Sequence, residues 1–492
     1  MARRLTLGVL LGALIMAGAI FACTPLSEDE PDPVTQSAAV VRPLTDTNKA
    51  FLFVANPFFD VLYRVDLDSH HVRQRPIGEA PHDLAASADG RYVAVASGGS
   101  RSVTVVRSED LVGRTVRVGF APRDLAFSPD GASLAVANYD QSSVTIIDTG
   151  DFGQWEVPVG VGPISLAFDP TGAFLLVANF ESDSVELIDM AERRPVAEWL
   201  DAPVEMVDEG GVVDVDDDDD TSDDDTVDDD TADDDTGDDD MADDDTADDD
   251  TADDDTADER PAKLDLVTGL DAIDRPQVVT YGLPDTPSEG VILIGVRQAP
   301  EYELDTTRAD SVIALRLPDG MDLAEYVAAL REDAAAAPPL RAQIVEAGVN
   351  PRALVWTPTG DTLFGLFYAA DEFGTTTNVL SELEFGPGGL LRESKRIAVG
   401  RNPAAMALSS DGLMVAVANK DDATVSLVDA EDGSLRSVGT EEQPFALAYR
   451  PDTDELFVAH RIPLMPVTRI LTDEAEAKLI IETLSVGEFV GD

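Results

Sequence analysis

One cysteine and four histidines, in a chain of 492 residues poor in cations, set limits before any pattern is sought. With Cys23 alone, an intrachain disulfide, a zinc ribbon and a thiolate cluster are excluded. The histidines, His70, His71, His82 and His460, show no His-Glu-x-x-His or similar ligand spacing, so no metal site is expected from them. Also missing are a Gly-x-Ser-x-Gly nucleophile turn, a phosphate-cradling glycine loop and a Cys-x-x-Cys-His haem attachment. Lys and Arg number 34 against 97 Asp and Glu, a net charge of −63. Such a field repels phosphate backbones, so no nucleic acid partner is expected. Beyond the N-terminus, no apolar run is long enough to span a bilayer.

The N-terminus carries an address. Ala2-Arg3-Arg4 precedes an apolar run from Leu5 to Phe21, and small residues follow, the marks of an export signal over 1–22. Ile20-Phe21-Ala22-Cys23 resembles a bacterial lipobox, which implies a lipidated Cys23 as the first mature residue and a membrane partner through that anchor. Thr24 stands where an Asp would resemble an inner-membrane retention signal, so the resemblance implies an outer-membrane lipoprotein, periplasmic or cell-surface exposed. Residues 23–40, with their Glu, Asp, Pro and Ser, are expected to form a flexible tether.

Acidic residues are concentrated in an insertion over 201–262, where Asp214–Glu259 supplies −29 with no basic residue. An Asp-Asp-Asp-Thr-Ala pentad is nearly perfect from Asp223 to Ala257. The run lacks the Gly and terminal Glu of an EF-hand loop, so it is expected to be a self-repelling, disordered spacer with at most loose Ca²⁺ association and no bound cofactor.

The rest of the chain repeats. Asn56, Ser97, Asn138 and Asn179 end similar Val-Ala-x runs 41 residues apart, and Asn419 and His460 repeat that spacing. Each unit carries a loop proline, a short apolar run, a turn such as Asp130-Gly131, a second run such as Ser133–Asn138, and a third such as Ser143–Asp148. Gly supplies the positive φ a hairpin turn needs, and alternation in Val144-Thr145-Ile146-Ile147 predicts a strand with one face more deeply buried. A four-stranded unit cannot bury both faces alone. Radial stacking does so, which predicts an all-β fold, a β-propeller of four-stranded blades over 41–200 and 263–492. Eight units can be counted, so the blades number seven or eight. Leu323–Arg331 predicts a short amphipathic helix in an insertion near 318–340, and the final unit is open between a capped helix and the last strands.

These units resemble the YVTN repeat family of β-propellers. The likeness is carried by Pro122-Arg123-Asp124-Leu125-Ala126-Phe127-Ser128-Pro129-Asp130-Gly131, then Leu134-Ala135-Val136-Ala137-Asn138, then Val144-Thr145-Ile146-Ile147-Asp148. It covers about 41–200 and 275–487, closely for the units starting at Pro81, Pro122, Pro163, Pro403 and Pro444 and more loosely at Pro276 and Pro351.

Strand tracing sets two rings at one mouth of the channel. One follows the loop proline and includes His82, Arg123 and Arg352; the other ends the second strand at Asn56, Asn138, Asn179, Asn419 and His460. Such mouths gather loops on a rigid scaffold and are the candidate ligand-binding site. The acidic insertion is expected to emerge on this same face, and the helix on the opposite one. With no catalytic constellation, the function expected is a binding or interaction scaffold for a protein or glycan partner. The alternative is a periplasmic propeller enzyme, a lactonase-like hydrolase or oxidoreductase, though the histidines are too few for copper or d-type haem chemistry by resemblance to propeller oxidoreductases.

Overall fold

The computed structural model describes residues 38–41, 49–196 except 70, 204–208, 211–212, 276–296, 311–368 except 346 and 349, 378–450 except 387 and 388, 453, 455–461, 466–473 and 478–485. The export signal, Cys23 and its tether, and the Asp-rich run lie outside the described residues.

The turn between the first and second strands of a blade is built by its own side chains. In blade 3, Ser128 Oγ donates to Asp130 Oδ1 at 2.6 Å, and that carboxylate accepts the Ala132 N–H at 3.0 Å. Gly131 follows at φ +69°, a conformation that a side chain resists. The chain then enters Ser133–Asn138, whose last five residues are buried. Its neighbours on either side are Pro122–Phe127 and Ser143–Asp148, and Gln154–Pro158 completes an antiparallel sheet of four.

Eight such sheets form an eight-bladed propeller. The innermost strands begin at Ala38, Pro81, Pro122, Pro163, Pro276, Pro351, Pro403 and Pro444. Each of eight buried apolar clusters joins two neighbouring blades, as where Ala135 and Ile146 of blade 3 meet Leu175 and Val177 of blade 4. Closure is made the same way: Leu52 and Val65 of blade 1 pack on Phe457 and Val467 of blade 8. Each terminal blade takes its four strands from one contiguous stretch of chain, so among the described residues side-chain contacts rather than a shared strand close the ring. The last unit is strand, Pro466–Asp473 and Lys478–Ser485, because its apolar residues find a sheet partner in Leu456–His460.

The first strand pairs with the second through a register shift just past the loop proline. Pro122 pairs with Asn138 but Leu125 with Val136, so Arg123 and Asp124 share a bulge. The same shift recurs in blades 2 to 8. Ahead of the proline, Ala121 sits at φ +47°, and its carbonyl accepts the Tyr139 N–H at 3.0 Å, which ties the loop over the end of the second strand.

Blade 5 departs from the pattern. Its outer strand Leu340–Val345 pairs in parallel with Val204–Asp208, which turns back through Gly211–Val212 to give a six-stranded sheet. Beyond Val212, at the rim of blade 5, the chain passes outside the described residues until Pro276. An outer edge offers unpaired backbone groups, and an additional strand satisfies them. The helix forms over Leu323–Asp333 with a reciprocal capping box between Asp322 and Glu325, and buries Leu323, Tyr326, Val327 and Leu330. It lies beside the Asp169–Gly172 and Gly282–Gly290 turns, on the face away from the loop prolines.

Candidate functional site

The bulge turns residues of the inner strand into the central channel. Described residues of blades 2 to 8 line one cavity there of about 300 Å³. Arg123 and Arg352 both reach it, from the same repeat position three blades apart, so they address it from nearly opposite sides of the ring. Each guanidinium lies over a tyrosine just past its blade's second strand: Arg123 is 5.0 Å from the Tyr139 ring centre and Arg352 is 4.8 Å from that of Tyr368. Cation–π contact of this kind orients a cation without neutralising it. Tyr139 is held in turn, its hydroxyl donating to Glu181 Oε1 at 3.0 Å.

Next to the arginine ring lies a second polar layer. Asp124 Oδ2 accepts the Leu166 N–H of blade 4 at 2.6 Å, and Oδ1 accepts the Leu125 N–H at 2.9 Å. Ser165, its counterpart in blade 4, accepts the Val279 N–H of blade 5 at 3.3 Å. Asp83 holds the equivalent place in blade 2 and is only 5% exposed. Asp124 keeps part of its surface on the narrow channel, yet burial raises its carboxyl to about 6 against the pull of both N–H donors. Asp83 and Asp124 were not among the residues picked out from the sequence. The available signal was a polar residue second after the proline, where later repeats carry Val278, Ala353, Ala405 and Ala446.

The other sequence candidates fall elsewhere. Asn56 Oδ1 accepts the Phe58 N–H at 2.8 Å and shapes its own turn. Asn138 is fully buried and donates to Ser143 Oγ at 3.1 Å and Thr145 Oγ1 at 2.8 Å. Asn419 does the same to Thr424 and Ser426, both at 3.0 Å. Asn179 reaches Ser184 and Glu186 at 3.3 Å each, and His460 Nε2 shares a 2.8 Å hydrogen bond with Thr468. None of these five lines the channel cavity. Their polar groups clamp the second strand to the third or close a turn within each blade. A loop glycine covers three of them: a Cβ on Gly119 or Gly400 would fall 2.6 or 2.5 Å from Asn138 or Asn419 Cγ, and one on Gly160 2.7 Å from Asn179 Nδ2. Burial lowers the pKa of His460 and disfavours its charged form. His82 occupies the ring position on its strand, and its side chain is outside the described residues.

Glu186 is the irregular member of this set. It stands where other blades place Thr145 or Ser426, is 6% exposed, and accepts the Gly160 N–H at 2.6 Å. Burial raises its carboxyl to about 7. Among the described residues, no group of three His, Cys, Asp or Glu side chains is placed to hold a metal ion.

No protein-family model and no curated protein sequence matches this chain. Solved structures are similar to it in fold. The dihydro-haem d1 dehydrogenase NirN, solved in complex with DHE, is 14% identical, with a TM-score of 0.54 over 95% of this chain and 79% of that one. Kuenenia stuttgartiensis hydrazine synthase is 15% identical over 82% of this chain and 95% of that one, with a TM-score of 0.47. Pseudomonas aeruginosa periplasmic gluconolactonase is 16% identical over 82% of this chain and 94% of its own, at 0.43. The likeness to NirN bears on the fold alone.

Proposed function

We propose that the protein is an extracytoplasmic binding scaffold of YVTN type, anchored through Cys23 to the outer membrane, whose mouth recognises a partner's anionic or carbonyl-bearing group. The observation that carries this reading is the pair Arg123 and Arg352, aimed from two sides into one cavity of a strongly negative protein and preset by Tyr139 and Tyr368. Preset guanidiniums suit bidentate bonding to carboxylate or to clustered carbonyls, on a protein or an acidic glycan. A tether from Cys23 fits this geometry. Ala38 pairs with Val54 toward the mouth end of the second strand, so a chain arriving from Cys23 meets the mouth face.

The test has two arms. Native membranes are solubilised and the partner is co-purified; binding to that partner is then measured for Arg123→Ala and Arg352→Ala. Loss of a charged hydrogen bond predicts about tenfold weaker binding for each change. Unchanged affinity in both rejects the mouth as the site. Separately, mass spectrometry of the mature N-terminal peptide should find lipid on Cys23, and an unmodified Cys23 in membrane-extracted protein rejects the anchor.

A second reading, a hydrolase of lactone-like esters, rests on Asp124, a carboxyl lining the same cavity as Arg123 that burial raises to about 6. Groups so perturbed in a cleft mark candidate general acids and bases. Turnover of small lactones near pH 6 that disappears in Asp124→Asn would favour this reading over the scaffold.

A further inference from the structure

A second cavity among the described residues lies outside the channel. It lies on the opposite face, where the helix of blade 5 overhangs the first turns of blades 4 and 5, and holds about 610 Å³. That is the size range of small-molecule sites, and about twice the 300 Å³ of the channel cavity.

Its lining is mixed, and the apolar part is stiff. Pro170, Pro284, Pro287 and Pro318 line it together with Met321 and Leu323, so little conformational entropy is lost when a ligand packs there. One polar group stands out within this lining. The Tyr281 hydroxyl is buried and makes no hydrogen bond among the described residues. Burial, with the nearby Asp169 charge, raises its pKa well above the usual phenol range, so it keeps its proton and stays a donor. The Asp169 carboxylate is turned to its own loop, where Oδ1 accepts the Phe174 N–H at 2.7 Å and Oδ2 the Thr171 N–H at 3.0 Å. A buried donor left without an acceptor is costly, which calls for a partner from outside.

The rim is rich in carboxylates, of which Asp319 also lies 3.6 Å from the half-exposed Arg341. Glu289, Asp319, Asp322 and Glu325 are exposed around the opening. The one cation in the lining, Arg316, is committed elsewhere: it donates to the Gly389 carbonyl at 3.2 Å and lies 5.1 Å from the Phe385 ring centre.

We propose that this cleft binds a small organic cation with an apolar or aromatic body, the body seated on the prolines and Met321, a hydrogen-bond acceptor meeting the Tyr281 hydroxyl, and the cationic end at the carboxylate rim. The site is separate from the channel mouth and does not depend on the reading given for it.

The test uses three probes matched in size on the purified chain: 4-methoxyphenethylammonium, 2-(4-methoxyphenyl)ethanol and 4-methoxyphenylacetate, titrated by calorimetry and by ligand-observed NMR. The ammonium should bind at least tenfold more tightly than the alcohol, and the carboxylate should not bind. Tyr281→Phe should weaken the ammonium about tenfold, Glu289→Gln with Asp319→Asn should abolish its advantage over the alcohol, and Met321→Trp should block all three. Arg123→Ala should change none of this, which separates the result from failure at the mouth. Equal binding of the three probes, tighter binding of the carboxylate, or no binding at millimolar concentration with the wild-type chain folded would overturn the proposal.

Discussion

Asp124 of blade 3 holds the backbone N–H of Leu166 in blade 4 at 2.6 Å, so a carboxylate facing the channel also splices two inner strands together. It accepts from Leu125 as well, and losing it would leave two backbone donors without their partner. Asp124→Ala should therefore cost about 1–3 kcal/mol in urea denaturation. Arg123→Ala, whose guanidinium lies over a tyrosine, should leave stability within roughly 0.5 kcal/mol, the usual range away from such features. Equal losses from the two changes would show that the arginine is a strut rather than a recognition group.

Glu186 gives a pH signature of the opposite kind from a salt-bridged acid. Its folded pKa, about 7, lies above the ordinary 4.5, so the folded state holds its proton more tightly than the unfolded chain does. Stability from this group is present below about pH 4.5, falls as pH rises to about 7, and stays reduced above that. The shift corresponds to roughly 3 kcal/mol at most. Glu186→Gln should gain about 1–3 kcal/mol at pH 8 and nearly nothing at pH 4, by denaturation at each pH. A constant difference across that range would refute the account.

Much of this architecture was legible because its causes are local. A glycine at positive φ, the amphipathic run Leu323–Arg331 and a 41-residue recurrence each declare themselves in the local sequence. The Asn ring shows the limit of that. Position 138 could be placed at a strand end by counting, but whether its amide meets the channel or Thr145 depends on rotation within a strand buried on both faces, where alternation carries no signal. Asp124 stayed hidden for a related reason, since its partner Leu166 belongs to the next repeat. The strand Val204–Asp208 could not be foreseen, because it answers an open edge that exists only once blade 5 has formed.

The turn aspartates should supply the acid limit of stability. Ser128 on Asp130, Ser409 on Asp411 and Thr359 on Asp361 hold these carboxyls below the usual carboxylate value. A depressed pKa contributes stability above the unfolded value of 3.8 and loses it as pH falls through the folded one. Asp130→Ala and Asp411→Ala together should cost about 1 kcal/mol each at pH 7, the scale of a lost side-chain cap, and progressively less below pH 3.8. A pH-independent loss would assign the effect to turn geometry instead of ionisation.

Closure of the ring is the place where this fold should fail first. Blades 1 and 8 share no strand, so their contact rests on a cluster that includes Leu52, Tyr63, Phe457 and Val467 and on the Arg450–Asp68 ion pair at 2.9 Å. That ion pair is half-exposed on the Asp68 side and contributes little. Phe457 is 2% exposed, and Phe457→Ala should cost about 3–5 kcal/mol through lost burial and the cavity left behind. The same truncation at Phe364, 1% exposed at the interface of blades 6 and 7, should cost as much overall yet open a different region. Amide exchange separates them. Phe457→Ala should speed exchange selectively in Phe51–Asn56 and Leu456–His460, the strands on either side of the seam, whereas Phe364→Ala should not. Uniform acceleration across all eight blades in Phe457→Ala would mean that the ring opens only with global unfolding, and that the seam is no weaker than any other interface.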